Sequence, residues 1–161
     1  MRAAVVTVSS SLARGEGEDV SGARLTDHCK EAGLDVSHET VSDDREAIAG
    51  ALKRLADVEG VRFVFTTGGT GLTPDDVTPE ATRDVIDREG PGFAEAIRAD
   101  SRDHTPLGIL TRGVSGVRGR TLIVNFPGNP KAIEQLFPVL APVLGHAAAT
   151  LSSEGGSRAS H

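Results

Sequence analysis

The sequence predicts an α/β fold: a single three-layer domain built on a mainly parallel sheet. Short β-branched runs alternate with segments of helical periodicity, an order that implies right-handed crossovers and a sheet covered on both faces. The runs are apolar at nearly every position, as strands buried on both sides are. The chain has 161 residues, 38% hydrophobic and 25% charged, which suits one core rather than two. The domain is expected at residues 1–150, with a polar, glycine-containing tail lacking fixed structure at 151–161.

Composition excludes several function classes. With a formal charge of -6 and neither Trp nor Tyr, the chain lacks the basic surface and the stacking aromatics of a nucleic-acid platform. Neither a signal peptide nor an apolar run of membrane-spanning length is read, so a cytoplasmic protein without membrane contact is expected. The single cysteine, Cys29, cannot close an internal disulfide; four residues after Leu25, it shares a helix's apolar face and reads as buried and inert.

The first strand runs from Arg2 to Val8. Ser9 to Val20, rich in hydroxyls, glycines and charges, reads as a loop at a strand's carboxyl end, either ligand-facing or a plain connector. Ser21 is expected to cap a helix reaching about Ala32, with Gly33 as its stop. Leu34 to Val41 returns as a strand. Asp43 and Glu46 then show capping-box spacing ahead of Ile48, Leu52 and Leu55, so Asp43 reads either as a cap or as a metal-binding or catalytic carboxylate.

Val61 to Thr66 is the third strand. It leads into Thr67-Gly68-Gly69-Thr70-Gly71, a turn whose amides can line an anion-binding concavity without any basic side chain. Thr78 is expected to cap a helix with Pro79 in its first turn, reaching about Glu89. A second helix follows at Phe93 to Ile97. Between Asp100 and Gly119 the periodicity weakens: Leu107 to Leu110 fits a strand or a helix, and Arg112 fits a ligand-facing or a surface position.

Arg120 to Phe126 is the last strand, followed by Pro127-Gly128-Asn129-Pro130-Lys131 and a helical segment that Pro138 and Pro142 are expected to divide. Lys131 opposes the helix dipole. It either serves an anion or is tolerated at a cost under about 1 kcal/mol. Spacing excludes a P-loop and a dinucleotide fingerprint, and the scattered histidines, without a cysteine cluster, argue against a zinc site. What remains are three strand ends on one sheet edge: Asp43-Asp44, Gly68 to Asp76, and Asn125 to Lys131. Together they suit a phosphate-bearing ligand with Mg²⁺ between phosphate and carboxylate.

The motifs Thr67-Gly68-Gly69-Thr70-Gly71, Asp76-Val77-Thr78-Pro79-Glu80-Ala81 and Pro127-Gly128-Asn129-Pro130-Lys131-Ala132, in this order and spacing, resemble the molybdopterin-binding MogA/MoaB-type proteins. The resemblance covers Met1 to about Thr150. It implies a molybdopterin-binding-like three-layer fold. It also implies Mg²⁺-dependent adenylylation of molybdopterin by ATP, giving adenylylated molybdopterin and pyrophosphate in molybdenum cofactor biosynthesis. By that resemblance Asp43 and Asp76 are the catalytic and Mg²⁺-holding residues. Thr67, Gly68, Gly69, Thr70, Gly71, Pro127, Gly128, Asn129 and Lys131 bind substrate and nucleotide. A homo-oligomer, trimeric or in some branches hexameric, and a molybdenum insertase as partner are implied as well. Two positions depart from the family pattern: Ser10 where relatives often carry aspartate, and Asp75 where arginine commonly stands. The departures leave an alternative, a non-catalytic molybdopterin-binding or scaffold protein of the same family.

Overall fold

Strands without polar alternation must be covered on both faces, and the fold does this with helices. In the computed structural model, which describes residues 1–153, the strands are β1 (Arg2–Val8), β2 (Asp35–Val41), β3 (Phe63–Thr67), β4 (Arg88–Glu89), β5 (Ser115–Arg118) and β6 (Thr121–Phe126). Every residue of β3 and β6 is buried, and all of β1 after Arg2. The order across the sheet is β2-β1-β3-β6-β5-β4. β1 pairs in parallel with β2 and β3, and β3 with β6, while β5 and β4 extend the sheet antiparallel.

The helices are α1 (Ser10–Ala13), α2 (Val20–Glu31), α3 (Arg45–Lys53), α4 (Thr78–Val85), α5 (Gly92–His104) and α6 (Pro130–Ser152). Successive strand side chains point to opposite faces, so two cores form. Val5, Phe65 and Val124 pack with Leu25, Ile97 and Ile133 from α2, α5 and α6. On the other face Val6, Val64 and Ile123 pack with Ile48, Leu52 and Val85 from α3 and α4. This is the three-layer α/β domain expected. Because β1 is flanked by both β2 and β3, chain direction across the sheet reverses there, and the carboxyl ends of the parallel strands border a crevice.

Several local expectations are corrected. The loop after β1 contains the short helix α1, because the Ser9 hydroxyl accepts a bond from the Leu12 N–H at 3.3 Å. Asp19 rather than Ser21 caps α2, accepting from the Gly22 N–H at 2.9 Å. Asp44 rather than Asp43 caps α3, accepting from the Ala47 N–H at 2.8 Å. The Thr78 side chain caps nothing; its hydroxyl donates to the Gly68 carbonyl at 3.0 Å. α4 stops at Val85, and the expected helix to Glu89 gives way to β4. In the segment of weak periodicity, Pro106–Leu110 is a 3-10 helix and β5 follows.

Pro138 and Pro142 lie inside α6 without dividing it. Both are exposed and four residues apart, so the carbonyls they leave unbonded face solvent, where water can bond them. α6 continues through Ser152, so Leu151 and Ser152 are helical; the rest of the expected tail, from residue 154, lies outside the described residues. By length and composition alone α6 could cross a bilayer. Its Ile133, Leu136, Phe137, Leu140 and Leu144 are instead buried in the domain core.

Candidate functional site

The site is built where β1, β3 and β6 end. Gly68 (φ +98°) follows β3, and a Cβ there would lie 2.5 Å from the Val8 carbonyl oxygen. Gly69 (φ +67°) is equally constrained, since a Cβ would meet the Thr78 hydroxyl at 2.3 Å. Only glycine lets the turn lie between the end of β1 and the start of α4. The second glycine turn touches the first: a Cβ on Gly128 would sit 3.3 Å from Gly68 Cα. Thr67 fastens the two, its hydroxyl donating to the Pro127 carbonyl at 2.8 Å. The Gly68 N–H is spent on the Phe126 carbonyl at 3.3 Å, whereas the N–H groups of Gly69, Thr70 and Gly71 have no protein acceptor among the described residues. Consecutive free amides of this kind make an anion-binding surface.

One carboxylate borders this turn and a second stands beside the end of β1. Asp76 lies under Gly71, where a Cβ would be 2.7 Å from its Oδ2. That oxygen accepts from the Thr73 N–H at 3.0 Å and the Thr73 hydroxyl at 2.8 Å. Asp43 is held from the β1 side, its Oδ2 accepting from the Ser10 N–H at 2.9 Å while its own N–H donates to the Ser10 hydroxyl at 3.0 Å. Each aspartate commits only Oδ2 and leaves Oδ1 without a protein partner among the described residues. No group of three or more metal-ligating side chains occurs among those residues, so no protein cage for a metal is formed there.

Arg112, which the sequence leaves as ligand-facing or surface, is a brace. Its N–H donates to the Thr70 carbonyl and its Nε to the Gly71 carbonyl, both at 2.8 Å, and Nη2 donates to the Asp76 carbonyl at 2.7 Å. Nη1 donates to the Glu80 carboxylate. The hydrogen bond from the Arg112 guanidinium holds the Glu80 carboxyl below the usual glutamate range, and Glu80 in turn raises Arg112. Turn, Asp76 loop and first turn of α4 therefore form one unit. Asp75 beside it is exposed.

The second glycine turn opens on a different space. Pro127, Asn129 and Lys131 line one wall of a cleft of ≈ 350 Å³, with His104, Leu107 and Thr111 opposite. Asn129 is the α6 cap, its Oδ1 accepting from the Lys131 N–H at 2.9 Å. Neither aspartate nor the Gly68–Gly71 turn lines this cleft; the Thr111 and Thr70 hydroxyls, 3.2 Å apart, join the two places.

A family model described as a probable molybdopterin binding domain matches residues 4–146. The chain belongs to this family. Among relatives in the molybdopterin-binding family, the molybdopterin adenylyltransferase of Haemophilus influenzae is 41% identical over 138 residues, 84% of this chain and 70% of that protein. The molybdenum cofactor synthesis protein cinnamon of Drosophila melanogaster is 37% identical over 145 residues; these are 89% of this chain but only 24% of that longer protein. The solved molybdopterin biosynthesis enzyme MoaB of Thermus thermophilus superposes with a TM-score of 0.88 at 42% identity, covering 95% of this chain and 97% of that one.

Within this molybdopterin-binding domain Asp76 packs against Gly71 of the first glycine turn, Asp43 is tied to Ser10 at the end of β1, and Asn129 and Lys131 line the adjoining cleft. Thr73 is a participant that sequence reasoning passed over, and the roles of Ser10 as orienting group and Arg112 as brace were not read from it. Their contribution depends on contacts with residues distant in the chain, apart from Thr73, whose position three residues before Asp76 was a readable signal. Cys29 stays outside the site, and burial pushes its thiol pKa up to about 12.

Proposed function

We propose that the chain is a molybdopterin adenylyltransferase of molybdenum cofactor biosynthesis: the terminal phosphate of molybdopterin attacks the α-phosphate of ATP, and pyrophosphate leaves. The observation that carries this reading is the run of free amides at Gly69, Thr70 and Gly71, bordered by Asp76, which keeps one oxygen unbonded, as does Asp43 at the end of β1. The adenylyltransferases named among its relatives point the same way.

In this reading the turn amides and the start of α4 hold phosphate oxygens, and Thr78 and Arg112 fix the turn against α4. Asp43 and Asp76, oriented by Ser10 and Thr73, each keep one free oxygen that can hold a cation. The donor set suits Mg²⁺, which takes one or two carboxylates along with phosphate oxygens and water, and would neutralise triphosphate charge when bound. Because the site is assembled before substrate arrives, its catalytic contribution is positioning and charge stabilisation. A cytoplasmic homo-oligomer, trimer or hexamer, handing its product to a molybdenum insertase, belongs to the same reading.

One observation favours a second reading. Arg112, the guanidinium that touches the turn, is consumed by Glu80 and the Gly71 and Asp76 carbonyls, and Asp75 adds negative charge beside it. A non-catalytic molybdopterin-binding or scaffold protein would tolerate the weak nucleotide grip this implies. Pyrophosphate release from ATP, measured with and without molybdopterin under anaerobic conditions, separates the two. Release that requires molybdopterin is expected; pterin binding with no release overturns the enzymatic reading in favour of the scaffold.

A further inference from the structure

The end of the sheet opposite the glycine turns carries a concentration of arginine that the phosphate chemistry does not use. β5 and β6 are joined there by the tight turn Gly119-Arg120, with Gly119 at φ +56°. Two guanidiniums reach it from neighbouring segments. Arg62, just ahead of β3, donates through Nη1 to the Arg120 carbonyl at 3.1 Å, and Arg88 of β4 donates through Nη2 to the Gly119 carbonyl at 3.4 Å. Arg118 and Arg120 flank Gly119 in the chain. Arginine is thus gathered on one turn of a chain whose formal charge is -6.

Little of this charge is neutralised. Arg118 is ion-paired with Asp57 at 2.7 Å, whereas Arg62, Arg88 and Arg120 have no ion-pair partner among the described residues. The Asp87 carboxylate also reaches the turn, but its Oδ2 accepts from the Gly119 N–H at 2.6 Å. Like charges on adjacent strands repel, so the arrangement carries a cost that an external anion relieves. Arg62 and Arg88 each meet the turn through one nitrogen, leaving N–H groups of the planar fork that pairs with carboxylates.

An apolar projection stands beside Arg118. The π-helical turn Arg54–Val58 that ends α3 presents Val58, 81% exposed. Its chain neighbours are pinned, Asp57 by Arg118 and the Glu59 carbonyl by Arg2 Nη1 at 2.7 Å. A phosphate-rich ligand would use the guanidiniums but not Val58, and the chain has neither Trp nor Tyr on which nucleic-acid bases could stack. An acidic protein segment with an apolar side chain uses both, and arginine is enriched in protein interfaces.

We propose that the Gly119-Arg120 turn, with Arg62, Arg88 and Val58, is a docking surface for an acidic segment of a partner protein. The proposal goes beyond adenylyl transfer and stands without it. β3 and β6 begin at this end and the glycine turns follow their other ends, so an occupant here leaves the crevice open.

The test is fluorescence anisotropy of a labelled peptide of repeating Glu-Glu-Val, at low and at physiological ionic strength, with a Gln-Gln-Val peptide as control. It uses the full chain and the Arg62→Gln/Arg120→Gln, Arg62→Lys/Arg120→Lys and Val58→Ser variants. Lys30→Gln/Arg102→Gln removes the same charge elsewhere. Saturable binding of the glutamate peptide alone, weakening with salt, is expected. Arg62→Gln/Arg120→Gln should weaken it about tenfold, as the loss of two exposed ion pairs does, while Lys30→Gln/Arg102→Gln stays within about twofold. Val58→Ser should weaken it about threefold, and the lysine variant, which keeps the charge, should recover part of the loss.

No saturable binding of the glutamate peptide, or an equal loss in both double glutamine variants, overturns the proposal. Displacement of the peptide by inorganic phosphate or single-stranded RNA at lower concentration than by unlabelled peptide assigns the turn to a phosphate ligand and overturns it as well. A sedimentation coefficient that falls in Arg62→Gln/Arg120→Gln assigns the turn to contacts between copies of this chain, with the same result.

Discussion

Ser10 and Asp43 exchange two hydrogen bonds across the ends of β1 and β2, backbone N–H to carboxylate in one direction and backbone N–H to hydroxyl in the other. The pair fixes the Asp43 carboxylate beside the end of β1 although it sits one residue from a helix cap: Asp44 takes the capping work and Ser10 takes the orienting work. Ser10→Ala keeps the Ser10 N–H bond and removes only the hydroxyl. It is expected to cost about 1 kcal/mol of alignment, read as a loss of kcat/KM of about fivefold with an unchanged circular dichroism spectrum.

Asp43→Asn and Asp76→Asn discriminate charge from shape. In each case an amide oxygen can still accept the bond made by Oδ2, from Ser10 or Thr73, so the fold should survive. What disappears is the negative charge and the free carboxylate oxygen. A fall in pyrophosphate release of about 10²–10³-fold is expected, comparable to losing one electrostatic contact in a transition state. Rates within a few fold of wild type would remove both residues from the mechanism.

The Arg112 brace gives a stability prediction with a pH sign. Lysine at this position cannot reach two carbonyls and a carboxylate together, so Arg112→Lys is expected to lose about 1–2 kcal/mol and to weaken nucleotide binding through the loosened turn. Glu80 has its pKa lowered in the folded state by the Arg112 hydrogen bond. Its contribution is therefore fully present above the ordinary glutamate range and is lost as pH falls through the lowered folded value. Urea midpoints taken from neutral pH to about pH 3 should fall more steeply for wild type than for Glu80→Gln.

The four parallel strands and the two glycine turns were legible because local sequence determines them. β-branched runs need two covered faces, and Gly68 and Gly69 occupy positive φ. The helix caps were misread by one or two residues at Asp19 and Asp44 because a serine or aspartate on either side offers the same chemistry. Only the entry angle of the chain decides between them. β5 was invisible for another reason: four residues including Gly116 carry little periodicity, and the strand exists because β6 offers it an edge. Arg112 lies in the same weakly patterned stretch, so its role follows from tertiary contacts alone.

Cys29 tests the packing of α2. With its thiol buried and its pKa pushed up to about 12, almost no thiolate exists at neutral pH. A disulfide reagent should label it only at the rate of unfolding. Cys29→Ser places an unpartnered hydroxyl in the core and is expected to cost about 1–3 kcal/mol without altering pyrophosphate release. Rapid labelling of the folded chain would show that the helix opens locally.

Asn125, the last polar residue of β6, joins three elements behind the site. Its Nδ2 donates to the hydroxyls of Thr66 and Thr82, each at 3.0 Å, and its Oδ1 accepts from the Val114 N–H at 3.1 Å. Asn125 and both threonines are almost fully buried, so nothing else can replace these bonds. Asn125→Ala is expected to destabilise by about 2–4 kcal/mol, chiefly because buried polar groups lose their partner. If that is the cause, converting Thr66 and Thr82 to valine in the Asn125→Ala background should restore part of the loss, since matched apolar replacement removes the unpaired hydroxyls. The Val114 N–H would stay unpaired and keep recovery incomplete. A cycle in which the threonine substitutions simply add further destabilisation would assign the role of Asn125 to volume rather than hydrogen bonding.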